Sequence, residues 1–391
     1  MFKINCLNKI SANGLRVLTN KYDITDDINE ADAVLVRSAV MHEMELPESV
    51  VAVARAGAGV NNIPLDKYAE KGIVVFNTPG ANANAVKEIV LSALLLASRD
   101  LIGGNEWVRE NASDENIAKT AEKAKSQFAG TEIKGKIIAV IGLGAIGVLV
   151  ANACLNLGMS VIGYDPYLSQ INALNLDRHV TYTSNLEEAI ISADFVTIHV
   201  PAMDATKKMI NKNIISKMKQ GSVLLNFSRD VIVDEEALKV ALENGDVRKY
   251  VSDFANPFSV NMPNTIIFPH LGASTEEAED NCAAMACEEV MDYIENGNIK
   301  NSVNYPACDA GVCKNDGRIS VIHKNVAGVI NKISDTFAQK NINIANMVSK
   351  AKGDYAYMVL DIDAAAKDEI IKQLTAIDGV VRARIIKKKK K

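Results

Sequence analysis

Ile137-Ile138-Ala139-Val140-Ile141-Gly142-Leu143-Gly144-Ala145-Ile146-Gly147 is the stretch on which the fold turns. Five apolar residues make a buried strand, a G-x-G-x-x-G follows without a gap, and residues 148–157 continue as an apolar helix. Each glycine has its own task in such a strand–turn–helix. Gly142 lets the chain turn tightly, Gly144 lets backbone approach a pyrophosphate, and Gly147 lets helix and strand pack closely. Ala145 and Ile146 lie in the turn before the helix from Val148, whose N-terminus faces the phosphates. The next strand, residues 160–163, leads into Asp165 and Pro166. A carboxylate there suits a ribose 2′-hydroxyl and repels a 2′-phosphate, so the motif points to NAD rather than NADP. A glycine-rich turn of an unrelated α/β protein is the alternative, and the flanking strand, helix and Asp165 weigh against it.

Outward from this motif the chain alternates strands and helices. Before it, residues 33–36, 50–54 and 72–77 read as strands, with a helix at 65–71 and a long one at 85–99. After it come strands at 195–200, 222–227, 250–252 and 265–268, then a helix at 276–295. Such alternation makes parallel βαβ units. Residues 296–317 hold Asn, Gly, Pro and two Cys with little periodicity, and read as a linker. A compact βαββαβ pattern follows, with strands at 319–323, 342–349, 355–362 and 380–386 and helices at 328–340 and 365–377. The run Lys387–Lys391 reads as a solvated charged tail.

The 391 residues call for two or three domains, and a formal net charge of −5 carries no global field for nucleic acid. An anionic ligand therefore needs a local cluster of cations. Met1-Phe2-Lys3-Ile4 has no apolar h-region, and the longest apolar run, at 89–97, is too short to span a bilayer. Six scattered cysteines suit reduced thiols. Cys308 and Cys313 lack the further ligands a metal site needs. The expectation is a cytoplasmic protein with no metal, no membrane span and no nucleic-acid partner.

Several blocks stand in order: Arg55-Ala56-Gly57-Ala58-Gly59-Val60-Asn61-Asn62, Phe76-Asn77-Thr78-Pro79-Gly80, the glycine motif, His199-Val200-Pro201, Leu225-Asn226-Phe227-Ser228-Arg229-Asp230, and Pro269-His270-Leu271-Gly272-Ala273-Ser274-Thr275. On these the first 300 residues resemble the D-2-hydroxyacid dehydrogenase family, and the C-terminal module resembles an ACT domain. The resemblance implies two doubly wound parallel-sheet lobes, a flavodoxin-like substrate lobe (1–98 and 276–300) and a Rossmann cofactor lobe (99–275). A linker (301–317) and a small ferredoxin-like α+β ACT domain (318–391) complete the chain. It also implies an active site in the cleft between the lobes.

Oxidising a 2-hydroxy acid requires a clamp for the carboxylate, a base for the hydroxyl proton and an acceptor for the hydride. An Arg fork meets a carboxylate with two parallel hydrogen bonds, and Arg229 matches the family's substrate-binding arginine. Histidine suits proton transfer near neutrality, and His270 matches the catalytic histidine. Thr78, Pro166, His199, Val200, Pro201, Asn226 and Asp253 match positions where the family contacts NAD. Arg37, Ser38, Arg55 and the loop Gly57-Ala58-Gly59 match substrate positions at strand ends, and Lys87 is a weaker candidate. A phosphorylated hydroxy acid, oxidised with NAD, is the implied substrate. His323 and Asn325 stand in a loop similar to the serine-binding loop of regulated members. They imply an L-serine effector and, since such sites form between subunits, a homo-oligomer of two or four chains.

The sequence departs from the family at three places. Relatives carry a Glu a few residues after the Asp that matches Asp253, and that Glu orients the histidine. Here the stretch runs Asp253-Phe254-Ala255-Asn256-Pro257 without an acid. Asn256 taking over the ring, or an acid from elsewhere such as Glu276, are the open substitutes. Asp230 stands in place of the usual Gly, and Ala327 in place of the usual Pro of the effector loop. Two other readings remain. A glyoxylate or hydroxypyruvate reductase of the same family would lack the ACT module. A non-catalytic NADH-sensing protein would explain the missing Glu but not the pair Arg229 and His270.

Overall fold

The computed structural model describes residues 1–314 and 316–386; the tail Lys387–Lys391 lies outside them. Backbone proximity divides the chain into two units, one of residues 1–82 and 276 onward, the other Ala83–Thr275.

The first unit holds two sheets. Strands β1 (Phe2–Cys6), β2 (Tyr22–Thr25), β3 (Ala33–Val36), β4 (Ala52–Arg55) and β5 (Val74–Asn77) form a parallel sheet in the order β2-β1-β3-β4-β5. This is the flavodoxin-like order, with its switch point between β1 and β3. The two N-terminal strands went unread in the sequence because β1 and β2 mix polar with apolar residues. β3 is fully buried and reads as one apolar run, as a central parallel strand should. Helix Glu276–Asn296 returns to this sheet and buries Ala283, Ala286, Cys287, Val290 and Tyr293 in the same core as Ile4, Leu35 and Phe76.

The third sheet of the chain belongs to this unit. In chain order the second unit comes first, with strands β6 (Ile137–Ile141), β7 (Ser160–Tyr164), β8 (Thr181–Thr183), β9 (Phe195–Ile198), β10 (Ser222–Asn226), β11 (Val247–Ser252) and β12 (Thr265–Ile267). Strands β13 (Arg318–Lys324), β14 (Ile344–Lys352), β15 (Tyr355–Ile362) and β16 (Val380–Ile385) pair antiparallel as β14-β15-β13-β16. With helices Val329–Ala338 and Asp368–Thr375 this is the βαββαβ module read from the sequence. Its helices cover one face through Ile333, Phe337, Ile370 and Leu374. Its other face contributes Ile322, Tyr357 and Val359 to the core of the first sheet. Arg382 donates to the carbonyls of Val50 and Gly72, so the small module is anchored to the ends of β4 and β5.

The stretch expected to be a linker is built into this unit. Val303 N–H donates to Val75 O at 2.9 Å, and Asn304 exchanges two bonds with β5 and its start, Val75 N–H and Ile73 O, each at 2.9 Å. Ile299 and Cys308 pair with each other, Tyr305 is fully buried, and Lys352 of β14 donates to the carbonyl of Val303 at 3.0 Å. The segment lacks periodicity because its side chains pair with strand edges one at a time.

The second unit is one parallel sheet in the order β12-β11-β10-β9-β6-β7-β8. The order reverses between β6 and β9, the switch point at which a Rossmann fold binds its ligand. Helix Ala83–Ser98 packs on this sheet, with Val86, Val90, Ala93 and Leu94 in one core with Val140, Val148 and Cys154. The boundary therefore falls after Asn82, where the sequence reading placed it at residue 98: the helix turns its apolar stripe to this sheet.

Among the described residues, no helix is long and apolar enough to cross a membrane. All six cysteines are free thiols.

Candidate active site

The glycine turn has the geometry its sequence demanded. Gly142 has φ +95°, and a Cβ on it would lie 2.7 Å from His199 O. A Cβ on Gly147 would lie 1.8 Å from Gly142 O, so helix and strand close on each other there. Around Gly144 nothing comes within 4 Å of such a Cβ. The approach to the start of helix Ala145–Asn156 is thus open, and no side chain caps its free N–H groups. Asp165 sits just past β7. Its two carboxylate oxygens accept the backbone N–H groups of Leu143 (2.9 Å) and Tyr167 (2.8 Å). Each oxygen keeps a second lone pair, which a ribose hydroxyl can use. An open anion cradle beside an acid fits NAD: the turn at Gly144, Ala145 and Ile146 could hold a pyrophosphate, and Asp165 could hold a ribose hydroxyl. Pro166 begins the turn that Asp165 braces.

At the end of β9, the His199 ring lies 2.9 Å from the Thr197 hydroxyl through Nε2, while Nδ1 is buried without a partner. Burial pushes this imidazole down to about 3, so it is neutral at physiological pH. Val200 packs its Cγ1 against Gly142, and Pro201 O accepts the Thr206 hydroxyl at 2.6 Å. These three residues shape the wall beside the glycine turn.

Arg229 follows β10. Asn226, fully buried at the end of that strand, donates to Arg229 O at 2.8 Å and accepts Ser228 N–H at 3.1 Å. Its amide therefore forms the turn that presents the guanidinium. Asp230 accepts Val231 N–H at 2.9 Å and starts a 3-10 turn.

His270 follows β12 and is exposed, with φ +57°. Asp253, almost fully buried at the end of β11, fixes the loop by accepting Leu271 N–H at 2.7 Å and Gly272 N–H at 2.6 Å. No carboxylate within Ala83–Thr275 hydrogen-bonds the His270 ring. Asn256 does not hold it either: its side-chain N–H group reaches Glu235 (3.0 and 3.1 Å), and its Oδ1 accepts Phe258 N–H and Ser259 N–H. That expectation is corrected, because Asn256 caps its own loop. Burial raises the Glu235 carboxyl above its ordinary value. Phe254 occupies the space instead. Its ring meets His270 edge to face at 5.1 Å and lies 5.8 Å under the Arg229 guanidinium. Neither Phe254 nor Glu235 was singled out in the sequence, where the one signal was the place of an aromatic directly after Asp253.

In the first unit, the expected substrate residues stand at the carboxyl ends of β3 and β4, and Thr78, expected to meet NAD, follows β5. Arg37 pairs with Glu279 at 2.6 Å, and Asn8, unremarked in the sequence, accepts Arg37 N–H and donates to Ser38 Oγ. Arg55 Nε donates to Arg37 O at 3.2 Å, and its guanidinium lies over Gly57, where a Cβ would meet it at 2.2 Å. Gly57 O accepts Thr78 N–H, and Asn77 donates to Ala58 O at 2.6 Å, which ties the Gly57–Gly59 loop to the end of β5. Lys87 lies in the second unit and donates to Asn84. In the small module, His323 is buried. Its Nδ1 is 2.8 Å from Lys324 O, which makes Nδ1 the protonated nitrogen, and Nε2 has no partner. Asn325 is bound to the β14–β15 turn through Asp354 O and Gly353 O.

Residues 91–272 match the family described as D-isomer specific 2-hydroxyacid dehydrogenase, NAD binding domain, and residues 319–382 match the AHAS small subunit-like ACT domain. The D-3-phosphoglycerate dehydrogenase of Haemophilus influenzae is 30% identical over 378 residues, covering 93% of this chain and 88% of that protein. The Bacillus subtilis enzyme of the same name is 33% identical over 78% of this chain, but the chain spans only 60% of its length. Among solved structures, an NAD+-bound 3-phosphoglycerate dehydrogenase of Entamoeba histolytica superposes with a TM-score of 0.60 at 25% identity, over 78% of this chain and 98% of that one. The chain belongs to the D-isomer specific 2-hydroxyacid dehydrogenase family of NAD-dependent oxidoreductases, with an ACT domain at its C-terminal side.

Proposed function

We propose that this protein oxidises 3-phospho-D-glycerate to 3-phosphohydroxypyruvate, the first step toward L-serine. The observation that carries the reading is the relative from Haemophilus influenzae, matched along 88% of its length with the ACT module included. When bound, NAD supplies the acceptor for the hydride leaving C2. Arg229 clamps the carboxylate with its planar fork. His270 takes the proton from the C2 hydroxyl as the hydride departs, and returns it in the reverse direction. Arg37, Ser38 and Arg55 serve the phosphorylated end, and the backbone N–H groups of the Gly57-Ala58-Gly59 loop meet the carboxylate. Thr78 and Asp253 join the NAD contacts. L-serine is the effector, taken by His323 and Asn325 between the ACT modules of a homo-oligomer, and the setting is the cytoplasm.

The test is NADH formation from 3-phospho-D-glycerate and NAD at alkaline pH, with and without L-serine. Activity reduced by serine supports both parts. Activity indifferent to serine removes the effector assignment alone. The missing acid beside His270 favours a second reading, an NADH-binding sensor, and binding of NADH without turnover of any 2-hydroxy acid would establish it.

A further inference from the structure

A 2-hydroxy acid carries its carboxylate and its hydroxyl on adjacent carbons. Any site that grips one with an arginine and deprotonates the other with a histidine must hold those two side chains at a fixed separation. In this chain the acid that orients the histidine in relatives is absent. His270 has an unusual backbone conformation for a non-glycine residue and is exposed; the Ser274 hydroxyl donates to its carbonyl at 3.4 Å, but its ring takes no hydrogen bond from its own unit. Asp253 fixes the backbone of its loop but not the ring.

We propose that Phe254 is the positioning residue that replaces the missing acid: one aromatic ring sets the orientation of His270 and the place of Arg229 together. The inference rests on the reading of Arg229 and His270 as the substrate clamp and base. Phe254 is itself firmly held. Its backbone pairs with Pro269, the residue before His270, its N–H donates to Ser252 Oγ at 3.2 Å, and its carbonyl accepts the Ser259 hydroxyl at 3.3 Å. These bonds fix the point from which the ring projects, and its contacts with His270 and Arg229 tie those two groups to one another. Edge-to-face packing orients the imidazole, with ring centroids 5.1 Å apart and planes 63° apart. The guanidinium lies 5.8 Å from the same ring, within the range at which the π face attracts a cation. A carboxylate in that place would draw Arg229 toward itself; here the guanidinium donates through Nη1 to the Ser228 carbonyl at 2.6 Å and rests against the aromatic ring, so no acid competes with substrate for it.

The test uses the full chain with NAD and 3-phospho-D-glycerate as probe, and compares Phe254→Leu with Phe254→Tyr. Leu keeps apolar bulk and loses the π face; Tyr keeps the ring. The expected result is a fall in kcat of about tenfold for Phe254→Leu, of the order that small misplacements cost, with KM for NAD unchanged. Phe254→Tyr should stay within about twofold of the unaltered chain, the rescue a merely space-filling role would not need. The His270 ring C–H proton resonance, assigned with His270→Gln, should lose its aromatic ring-current displacement in Phe254→Leu only. Equal kcat, pH profile and His270 resonance in all three chains would overturn the positioning role. If the unaltered chain turns over no 2-hydroxy acid, the assignment of Arg229 and His270 fails first, and the positioning role with it.

Discussion

Asn301 donates its side-chain N–H to Glu289 Oε1 at 2.6 Å, and its own carbonyl accepts the N–H of Asn77 at the end of β5. Glu289 is 6% exposed, and its Oε2 is buried without a partner. Asn301 holds a left-handed conformation, φ +56°, at the point where the chain turns to run along β5. Asn77 in turn donates to Ala58 of the glycine loop. A buried carboxyl on the long helix is thus linked through two asparagines to a loop expected to meet substrate.

Burial raises the Glu289 carboxyl from its ordinary 4.5 to about 8. In the folded chain the proton stays on where the unfolded chain has already lost it. The contribution to stability is therefore whole below about pH 4.5 and is lost as pH rises toward 8, with a slope of at most about 1.4 kcal/mol per pH unit. Glu289→Gln removes the titrating group and keeps an acceptor for Asn301. Urea unfolding between pH 5 and pH 8 should show a falling midpoint for the unaltered chain relative to Glu289→Gln. Parallel pH dependences would show that the carboxyl is ionised throughout.

The glycine turn separates a binding effect from a folding effect. Gly144→Ala adds a methyl into space that is open in the protein, so the fold should melt within about 1 kcal/mol of the unaltered chain. The methyl occupies the path of the pyrophosphate, and NAD affinity should fall by at least about tenfold, equivalent to 1.4 kcal/mol. Gly147→Ala drives a methyl to 1.8 Å from Gly142 O and should destabilise the second unit by about 1–3 kcal/mol. Thermal melts and NAD titration by tryptophan or NADH fluorescence separate the two. Equal melting losses would mean the turn is no specific cradle.

The second unit and the βαββαβ module were legible because their signals are local: an apolar run, three glycines at fixed spacing, and switches between periods of 2 and 3.6. Strands β1, β2 and β8 were missed, being short and partly polar, and their pairing depends on neighbours distant in sequence. The segment 296–317 was read as a linker because Val303 and Asn304 find partners on β5 more than 220 residues away. In the site, Arg229, His270 and Asp253 stood out from their blocks. The role of Phe254 did not, since an aromatic after an acid has no chemistry until the fold brings it beneath a guanidinium. The expectation for Asn256 failed for the same reason: its partner Glu235 lies 21 residues back and in the sequence is one acid in the run Asp234-Glu235-Glu236.

Arg318 is 3% exposed and forms a fork-to-fork pair with Asp361, at 2.7 and 2.8 Å. The same guanidinium donates to the carbonyls of Asn296, Ala310 and Gly311. It thereby joins β13 and β15 to both ends of the strap between helix Glu276–Asn296 and the small module. Arg318→Met takes from Asp361 its charged partner, leaving only the long bond from Asn346, removes one donor from each of three carbonyls, and should cost about 3–5 kcal/mol. Arg318→Met with Asp361→Leu removes the stranded charge and should recover part of that loss. Denaturant unfolding of the two variants decides it: a double variant no better than the single would assign the loss to the carbonyls of the strap rather than to the ion pair.

Asp253 is the residue whose replacement should reach His270 without touching it. Both carboxylate oxygens accept backbone N–H groups, from Leu271 and Gly272, in a place 2% exposed. A side-chain amide offers one acceptor only, and its NH2 would face a backbone N–H. Asp253→Asn therefore leaves at least one buried donor unsatisfied, at a cost of about 1–3 kcal/mol. The loop then has no fixed reason to keep His270 at φ +57°. Because displacing a reacting group by about 1 Å costs on the order of a hundredfold in rate, kcat should fall by that order while the chain remains folded below its lowered Tm. Stopped-flow or steady-state NADH formation, together with circular dichroism at the assay temperature, checks both halves. A folded Asp253→Asn chain with unchanged kcat would show that the loop carrying His270 holds its shape through Pro269 and Phe254 alone.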